Sequence, residues 1–163
     1  MTKKIDSLKN NPQDNCEGFL KSFMYMMHKT YMSINRHMEQ LFKNEKVTFS
    51  QFIILATISH FEYKDFVSQS DVASFMDTTE ANISRHITTL KKNGLITSKT
   101  VIKNKRINSL FLTESGNQTL LKAKMLLDKK LNKVFKVLSE SEKDISLNVF
   151  KSLLSELEKQ KTN

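Results

Sequence analysis

The spacing of apolar residues divides the chain into helices and one pair of strands. Between about residues 16 and 43, apolar positions repeat at alternating intervals of four and three, which is typical of a long helix with a heptad-like seam. The sequence "TFSQ" at 48–51 is a capping box, Thr48 with Gln51, and it opens a second helix that is apolar on most sides. The seam of the first helix consists of Leu20, Met24, Met27, Tyr31, Ile34, Met38 and Leu41.

Two shorter helices joined by a tight turn follow. Ser68 or Ser70 caps the first of them, "SDVASFM", and a turn at 77–79 comes next. The sequence "NISRHITTLKKNGLI" at 82–96 then has the apolar spacing of a second helix. Because this second helix is cationic, the pair predicts a helix-turn-helix.

Capping signals bound the cationic helix, and a change of period follows it. Asp77 with Glu80 offers a capping box, which leaves the start of the helix open by two residues. Gly94 supplies a left-handed stop. From Ile96 to Ile102 the period changes to two, and "INSLFL" follows after "KNKR". Ile96, Ser98, Thr100 and Ile102 alternate with Thr97, Lys99 and Val101. This pattern predicts a β-hairpin with a basic tip, in the position of a wing.

Two long amphipathic helices complete the predicted chain. Thr113 caps the first, and Ser139 with Glu142 forms a capping box for the last. The long helices at both ends carry more apolar surface than a small winged-helix core can cover, so we expect pairing with a second copy. Packing of these helices into a bundle within one chain is the alternative. The fold class is mainly α with a small β-wing, divided into an N-terminal arm and first dimerisation helix (1–43), a winged helix-turn-helix (48–113) and C-terminal dimerisation helices (114–163).

Positive charge is concentrated in the cationic helix and the hairpin. The chain has a formal net charge of +9, and from Ala81 to Thr113 there are seven bases and no acid. Two of the three arginines, Arg85 and Arg106, lie in this stretch. Guanidinium groups suit bidentate contacts to guanine and to narrow grooves. The concentration of charge indicates a phosphate-binding surface.

The cationic helix has one apolar stripe and one stripe suited to DNA. Ile83, Ile87 and Leu90 share the first face. The opposite face has short, amide-bearing and basic side chains without an acid, although a solvated face that lacks acids is the alternative for this stretch alone. This opposite face holds Ala81, Arg85, Thr88 and Lys92, flanked by Asn82, Ser84 and Thr89.

Composition argues against several classes of protein. A length of 163 residues with 39% apolar content suits one core. The single cysteine, Cys16, cannot form an internal disulfide and fits a reducing cytosol. No segment is apolar enough for a signal peptide or a membrane span, so we expect a cytoplasmic protein. Without a glycine-rich phosphate loop or a nucleophile elbow, neither an enzyme nor a cofactor is expected.

The histidines and the cysteine do not form a recognisable sensor. His28 and His37 are nine residues apart on opposite faces of one helix, and His60 and His86 stand alone, so no metal site is predicted. Cys16 lies at the start of the first helix, where an inert thiol is the expectation.

The order of the elements resembles the MarR family of bacterial winged-helix transcription regulators, through about residues 20–157. The strongest section is "VASFMDTTEANISRHITTLKKNGLITSK" followed by "KNKRINSLFLTESG", which is similar to the recognition helix, the wing and the "LT..G" that opens the next helix. The resemblance implies a homodimer on a pseudo-palindromic operator, with recognition helices in major grooves and wing tips in neighbouring minor grooves. In many members of the family a small apolar or phenolic effector releases the protein from DNA, and others respond through a reactive cysteine or a metal, so the resemblance leaves the effector open.

The resemblance and the residue types together define a set of DNA contacts. Arg85 is expected to read a guanine edge or hold a phosphate, and Asn82 to pair with adenine, while Ala81 leaves room for a thymine methyl. Asn104 stands where the family usually has an aspartate that braces the wing-tip arginine, here Arg106, so this brace is weaker. Lys91 is expected to position the protein on phosphates along with other lysines. The predicted set is Thr79, Ala81, Asn82, Ser84, Arg85, Thr88, Lys92, Lys99, Lys103, Lys105 and Arg106.

The sequence therefore predicts a sequence-specific regulator that binds double-stranded DNA as a homodimer and acts as a repressor. The alternative is a winged-helix adaptor that binds a protein partner without reading DNA, which the basic helix and hairpin disfavour. Binding of RNA is disfavoured because the deep, narrow major groove of an A-form duplex does not admit a helix.

Overall fold

The structure is a computed structural model that describes residues 12–61, 66–100 and 108–161. Within these ranges it has six helices and two strands, so the predicted fold class, mainly α with a small β-wing, is confirmed. The first helix begins at residue 12, a turn before the predicted start. The elements are α1 (Pro12–Phe42), α2 (Phe49–His60), α3 (Gln69–Phe75), α4 (Glu80–Lys92), β1 (Ile96–Thr100), β2 (Asn108–Leu112), α5 (Glu114–Phe135) and α6 (Glu140–Lys161).

Capping boxes open α2 and α3. The Thr48 hydroxyl accepts from the Gln51 N–H at 3.2 Å, and the Gln51 side chain accepts from the Thr48 N–H at 3.0 Å, as the sequence predicts. Of the two serines that could cap α3, the structure uses Ser68, whose hydroxyl accepts from the Asp71 N–H at 3.0 Å. Both helices are therefore started by local hydrogen bonds.

The turn before α4 differs from one of the sequence predictions. The cap of α4 is Thr79, whose hydroxyl accepts from the Asn82 N–H at 3.3 Å. Asp77 has φ +47 and takes the left-handed position of the turn, so it does not cap the helix with Glu80. Aspartate tolerates this conformation better than most side chains. Gly94, with φ +68, ends the helix as predicted.

The core is built around α2. Ile54, Leu55 and Ile58 are fully buried, and α4 packs on them through its predicted apolar stripe. α1 contributes Met38 and Phe42 from its last turns. The other buried apolar residues come from every element up to α5 and include Phe52, Val67, Val72, Ile83, Ile87, Leu90, Leu95, Ile96, Leu110, Leu120 and Leu127.

The two strands pair as an antiparallel hairpin at the predicted positions. The register runs from Ile96 opposite Leu112 to Thr100 opposite Asn108. The basic tip of this wing, at 101–107, lies outside the described residues. The predicted contacts at the tip therefore remain predictions, and they are Lys103, Lys105 and Arg106.

The wing is tied to the segment that precedes α3. The Leu110 N–H donates to the Val67 carbonyl at 2.7 Å, and the Val67 N–H donates to the buried Ser109 hydroxyl at 3.0 Å. Through these two hydrogen bonds, Val67 lies alongside β2 as a third chain segment at the edge of the hairpin. The base of the wing is thus fixed to the core next to the helix-turn-helix.

The junction between the wing and α5 is closely packed around a glycine. Thr113 caps α5: its hydroxyl accepts from the Gly116 N–H at 3.0 Å and donates to the Gly94 carbonyl at 2.7 Å. A Cβ at Gly116 would lie 2.0 Å from the Leu95 carbonyl oxygen. Two such atoms cannot approach so closely, so α5 can pack against the backbone at Leu95 only with a glycine at this position.

The end helices carry a large exposed apolar surface. No residue between 140 and 160 in α6 is buried. In the described residues, no helix is long and apolar enough to cross a membrane. The exposed apolar side chains of α1, α5 and α6 include Phe19, Leu20, Met24, Tyr25, Met26, Tyr31, Leu121, Met125, Val134, Ile145, Leu147, Phe150, Leu154 and Leu157.

The start of α6 provides a pH-dependent helix cap. The Ser139 hydroxyl and the Ser139 N–H both donate to the Glu142 carboxylate and lower the pKa of this carboxyl. A pKa lowered by folding contributes stability above the unfolded-state value of about 4.3, and that stability is lost as the pH falls through the folded-state pKa.

We expect Glu142→Gln to remove this pH dependence, so that wild-type helicity falls more than that of the variant on acidification. Circular dichroism at 222 nm between neutral and acidic pH measures the difference. Glu39→Gln, an exposed carboxylate of α1, serves as the control. Identical acid titrations of wild type and Glu142→Gln would contradict the capping role.

Candidate nucleic-acid interface

The outer face of α4 is exposed and free of acids, as predicted. Ala81, Arg85, Thr88 and Lys92 are all exposed along it. The Thr88 hydroxyl donates to the Ser84 carbonyl one turn earlier at 2.9 Å, which holds this side chain close to the helix. The face therefore offers a shallow, polar surface with two projecting cations.

The start of α4 is fixed to its surroundings by side-chain amides. The Asn82 amide donates to the Thr78 hydroxyl at 3.2 Å, and the Gln69 amide of α3 donates to the Glu80 carbonyl at 3.0 Å. Thr79 caps the helix beside them. To pair with adenine, the Asn82 amide would have to give up its exposed hydrogen bond to Thr78. An exposed hydrogen bond contributes little to stability, so this exchange costs little.

Arg85 is the cation of α4 best placed to bind a ligand. Its guanidinium makes no hydrogen bond or ion pair with any residue within the described ranges. The acid of α4, Glu80, lies in its first turn, five positions earlier. A free guanidinium has five donors for a base edge or a phosphate.

The lysines next to α4 differ in their contacts. Lys92 is exposed and has no partner in the part of the chain that the structure describes. The Lys91 ammonium donates to the Ser98 hydroxyl of β1 at 2.9 Å, and the Lys99 ammonium lies 5.7 Å from the centroid of the Phe111 ring. Lys91 thus joins α4 to the first strand of the wing. No local sequence pattern indicates this contact between two elements.

Loss of the Lys91 contact should misplace the wing. We expect Ser98→Ala to weaken binding to duplex DNA by about 0.5–1 kcal/mol, although it removes no charge, because the hydrogen bond that braces the wing is lost. Lys91→Met should lose at least as much. Fluorescence anisotropy over a series of salt concentrations measures both. Wild-type affinity of Ser98→Ala would show that Lys91 acts through its charge alone.

Two cavities open beside these helices. One, of about 460 Å³, lies between α4 and the start of α2. The other, of about 610 Å³, lies between α2, Phe75 of α3 and Lys124 of α5, and Phe52 and His60 also line it. The rings of His60 and Phe75 are 5.7 Å apart. Among the residues that the structure describes, no three His, Cys, Asp or Glu side chains group as metal ligands would.

The sequence of the helix-turn-helix and wing is similar to a known family. A sequence model described as the MarR family matches residues 46–107. This segment therefore resembles the MarR family. The predicted resemblance is therefore confirmed, and the family is one of transcription regulators rather than enzymes. A comparison with curated protein sequences gives no match.

Solved structures with the same fold extend beyond that segment. The S. aureus MepR–DNA complex is 21% identical, with a TM-score of 0.69 over 86% of this chain and 98% of that chain. BldR from Sulfolobus solfataricus is 22% identical, with a TM-score of 0.74 over 90% and 99%. CouR, a transcriptional repressor bound to a 23-mer DNA duplex, is 19% identical, with a TM-score of 0.74 over 84% and 96%. These structures share the fold of this chain over the long end helices as well as over the winged helix.

Proposed function

We propose that this chain is a sequence-specific regulator of transcription that binds double-stranded DNA as a homodimer and represses the genes it controls. The observation that supports it best is the exposed, acid-free outer face of α4 with its free Arg85 guanidinium. The MarR-family winged helix and the DNA-bound structures of MepR and CouR support the same function.

The outer face of α4 has the dimensions and groups for a major groove. A helix is about 10–12 Å wide with its side chains, and the major groove of B-DNA is about 12 Å wide. Arg85 reads a guanine or holds a phosphate, Asn82 pairs with adenine and Ala81 accommodates a thymine methyl. Lys92 contacts phosphates. Arg106 of the wing tip enters a narrow minor groove, which attracts arginine through its negative potential.

The exposed apolar residues of the end helices supply the dimer interface. The segments 1–43 and 114–163 form this interface, and 48–113 binds DNA. The helix α6 has no buried side chain from residue 140 to residue 160, so it gains stability by covering its apolar face. A two-fold dimer matches two half-sites on a pseudo-palindromic operator.

The cavity of about 610 Å³ between α2, α3 and α5 suits an effector. Its wall combines Phe52, Phe75 and His60 with the cation of Lys124. Small-molecule sites typically combine apolar walls with a few polar groups in this way. A small apolar or phenolic molecule bound here would release the protein from DNA.

Selection of bound sites from random duplex DNA tests the function. We expect an A·T-flanked inverted repeat with half-sites about one helical turn apart. Affinity should fall steeply as salt increases, and light scattering should give the mass of a dimer. Failure to enrich any motif at moderate salt would favour the adaptor that binds a protein partner. A monomer in solution would contradict the proposal that a homodimer places one copy of α4 in each half-site.

A further inference from the structure

The cavity between α4 and the start of α2 has donors on its wall and no acid. Asn82, Arg85 and His86 of α4 line one side, and Ser50 of α2 lines the other. Arg85 is the charged group among its lining residues. An electropositive recess of about 460 Å³ suits an anion better than a neutral ligand.

Two of these donors have no partner among the residues that the structure describes. Within the described ranges, neither the Ser50 hydroxyl nor the His86 ring makes a hydrogen bond, and both residues are half-buried. The neighbouring hydroxyls Thr88 and Thr89, by contrast, donate to carbonyls of α4. Since no buried side-chain nitrogen or oxygen among the described residues lacks a hydrogen bond, the polar atoms of Ser50 and His86 reach solvent. Both can therefore donate to a ligand without breaking a hydrogen bond within the described residues.

The donors are held on rigid elements. Ser50 lies in the first turn of α2, between the two residues of the Thr48–Gln51 capping box. α4 is fixed against the core by Ile83, which is 2% exposed and also lines the cavity. The backbone on both sides of the recess is therefore held by a helix cap or by the core.

The recess lies on the flank of α4 rather than on its outer face. Arg85 and His86 are consecutive, so their side chains are turned by about 100° around the helix axis. When the outer face enters a major groove, which a helix nearly fills, its flank meets the sugar-phosphate backbone at the edge of the groove. The group that reaches the recess is then a phosphate.

We infer that Ser50 and His86 form a binding site for one backbone phosphate in each half-site, beside Arg85. The Ser50 hydroxyl and a ring N–H of His86 donate to the non-bridging oxygens. This inference rests on the proposed function, because it requires α4 in a major groove. The site fixes how deeply α4 enters the groove and carries no sequence preference of its own.

Substitutions in the full-length chain test the two donors. The probes are the duplex obtained by selection and a scrambled duplex of the same composition. We expect Ser50→Ala and His86→Leu each to lower affinity roughly threefold to tenfold on both duplexes, without changing the preference between them. Ser50→Thr and His86→Gln, which keep a donor, should retain most of the affinity. Asn44→Ala removes an exposed polar side chain outside the proposed dimer and DNA-binding segments, so it is the control and should bind like wild type.

Single methylphosphonates in the selected duplex locate the phosphate. Wild type should lose affinity at one phosphate at the edge of each half-site, and Ser50→Ala should be insensitive there but remain sensitive elsewhere. Wild-type affinity of both Ser50→Ala and His86→Leu, or an unchanged methylphosphonate pattern in Ser50→Ala, would overturn the inference. If His86→Leu fails to fold by circular dichroism, the Ser50 variants decide. Failure of wild type to bind either duplex would instead contradict the proposed function.

Discussion

Replacing Arg85 with alanine should weaken binding to the selected operator by about 1–3 kcal/mol and relax the base preference at one position of each half-site. The reason is the free guanidinium on the exposed face of α4, which has no competing partner within the described ranges. A bidentate contact to guanine is lost on the operator. On random DNA there is no such contact to lose, so the penalty there is smaller.

Competition binding of Arg85→Ala with operator and scrambled duplexes measures the two losses. Lys92→Ala is the matched control, because it removes one exposed cation from the same face of α4. It should lower affinity uniformly and reduce the salt slope by about one. Equal losses on both duplexes for Arg85→Ala would show that this residue binds a phosphate and reads no base.

Replacing Gly116 with alanine should lower the free energy of unfolding by about 3 kcal/mol or more. In an ordinary helix position the same change would raise stability by about 1 kcal/mol, because alanine favours helices over glycine. The sign reverses here because the new Cβ would lie 2.0 Å from the Leu95 carbonyl oxygen. That oxygen also accepts the Thr113 N–H hydrogen bond, so it cannot move without breaking the junction.

Urea denaturation of the full chain measures this loss. Gly94→Ala separates backbone strain from steric conflict, since Gly94 has φ +68 but nothing within 4 Å of its Cβ position. This control should lose about 1–2 kcal/mol, the cost of a left-handed conformation for alanine. A Gly116→Ala protein as stable as wild type would show that α5 can shift away from Leu95 at little cost.

Local signals made most of the fold predictable from sequence. The capping boxes at Thr48 and Ser139, the cap at Thr113 and the stop at Gly94 each depend on residues within four positions of one another, and all four are present. Of the two starts that the sequence leaves open for α4, the structure uses Thr79 and not the Asp77–Glu80 box. Aspartate serves a left-handed turn as readily as a helix cap, and here Asp77 takes the turn.

Contacts between distant parts of the chain were not predictable. The bond between Lys91 and Ser98, the approach of Gly116 to Leu95 and the pairing of Val67 with β2 all depend on how elements meet in space. In the candidate interface, helical periodicity alone predicted the exposed face of α4. The recess at Ser50 was missed because it joins side chains from two helices.

The exposure of α6 has a consequence for the protein in dilute solution. Every residue from 140 to 160 except Lys143 is exposed. In a monomer, little tertiary packing stabilises this helix against fraying. Ellipticity per residue should therefore fall as the sample is diluted. The protein concentration at the midpoint of this loss would measure the dissociation constant of the dimer in the absence of DNA.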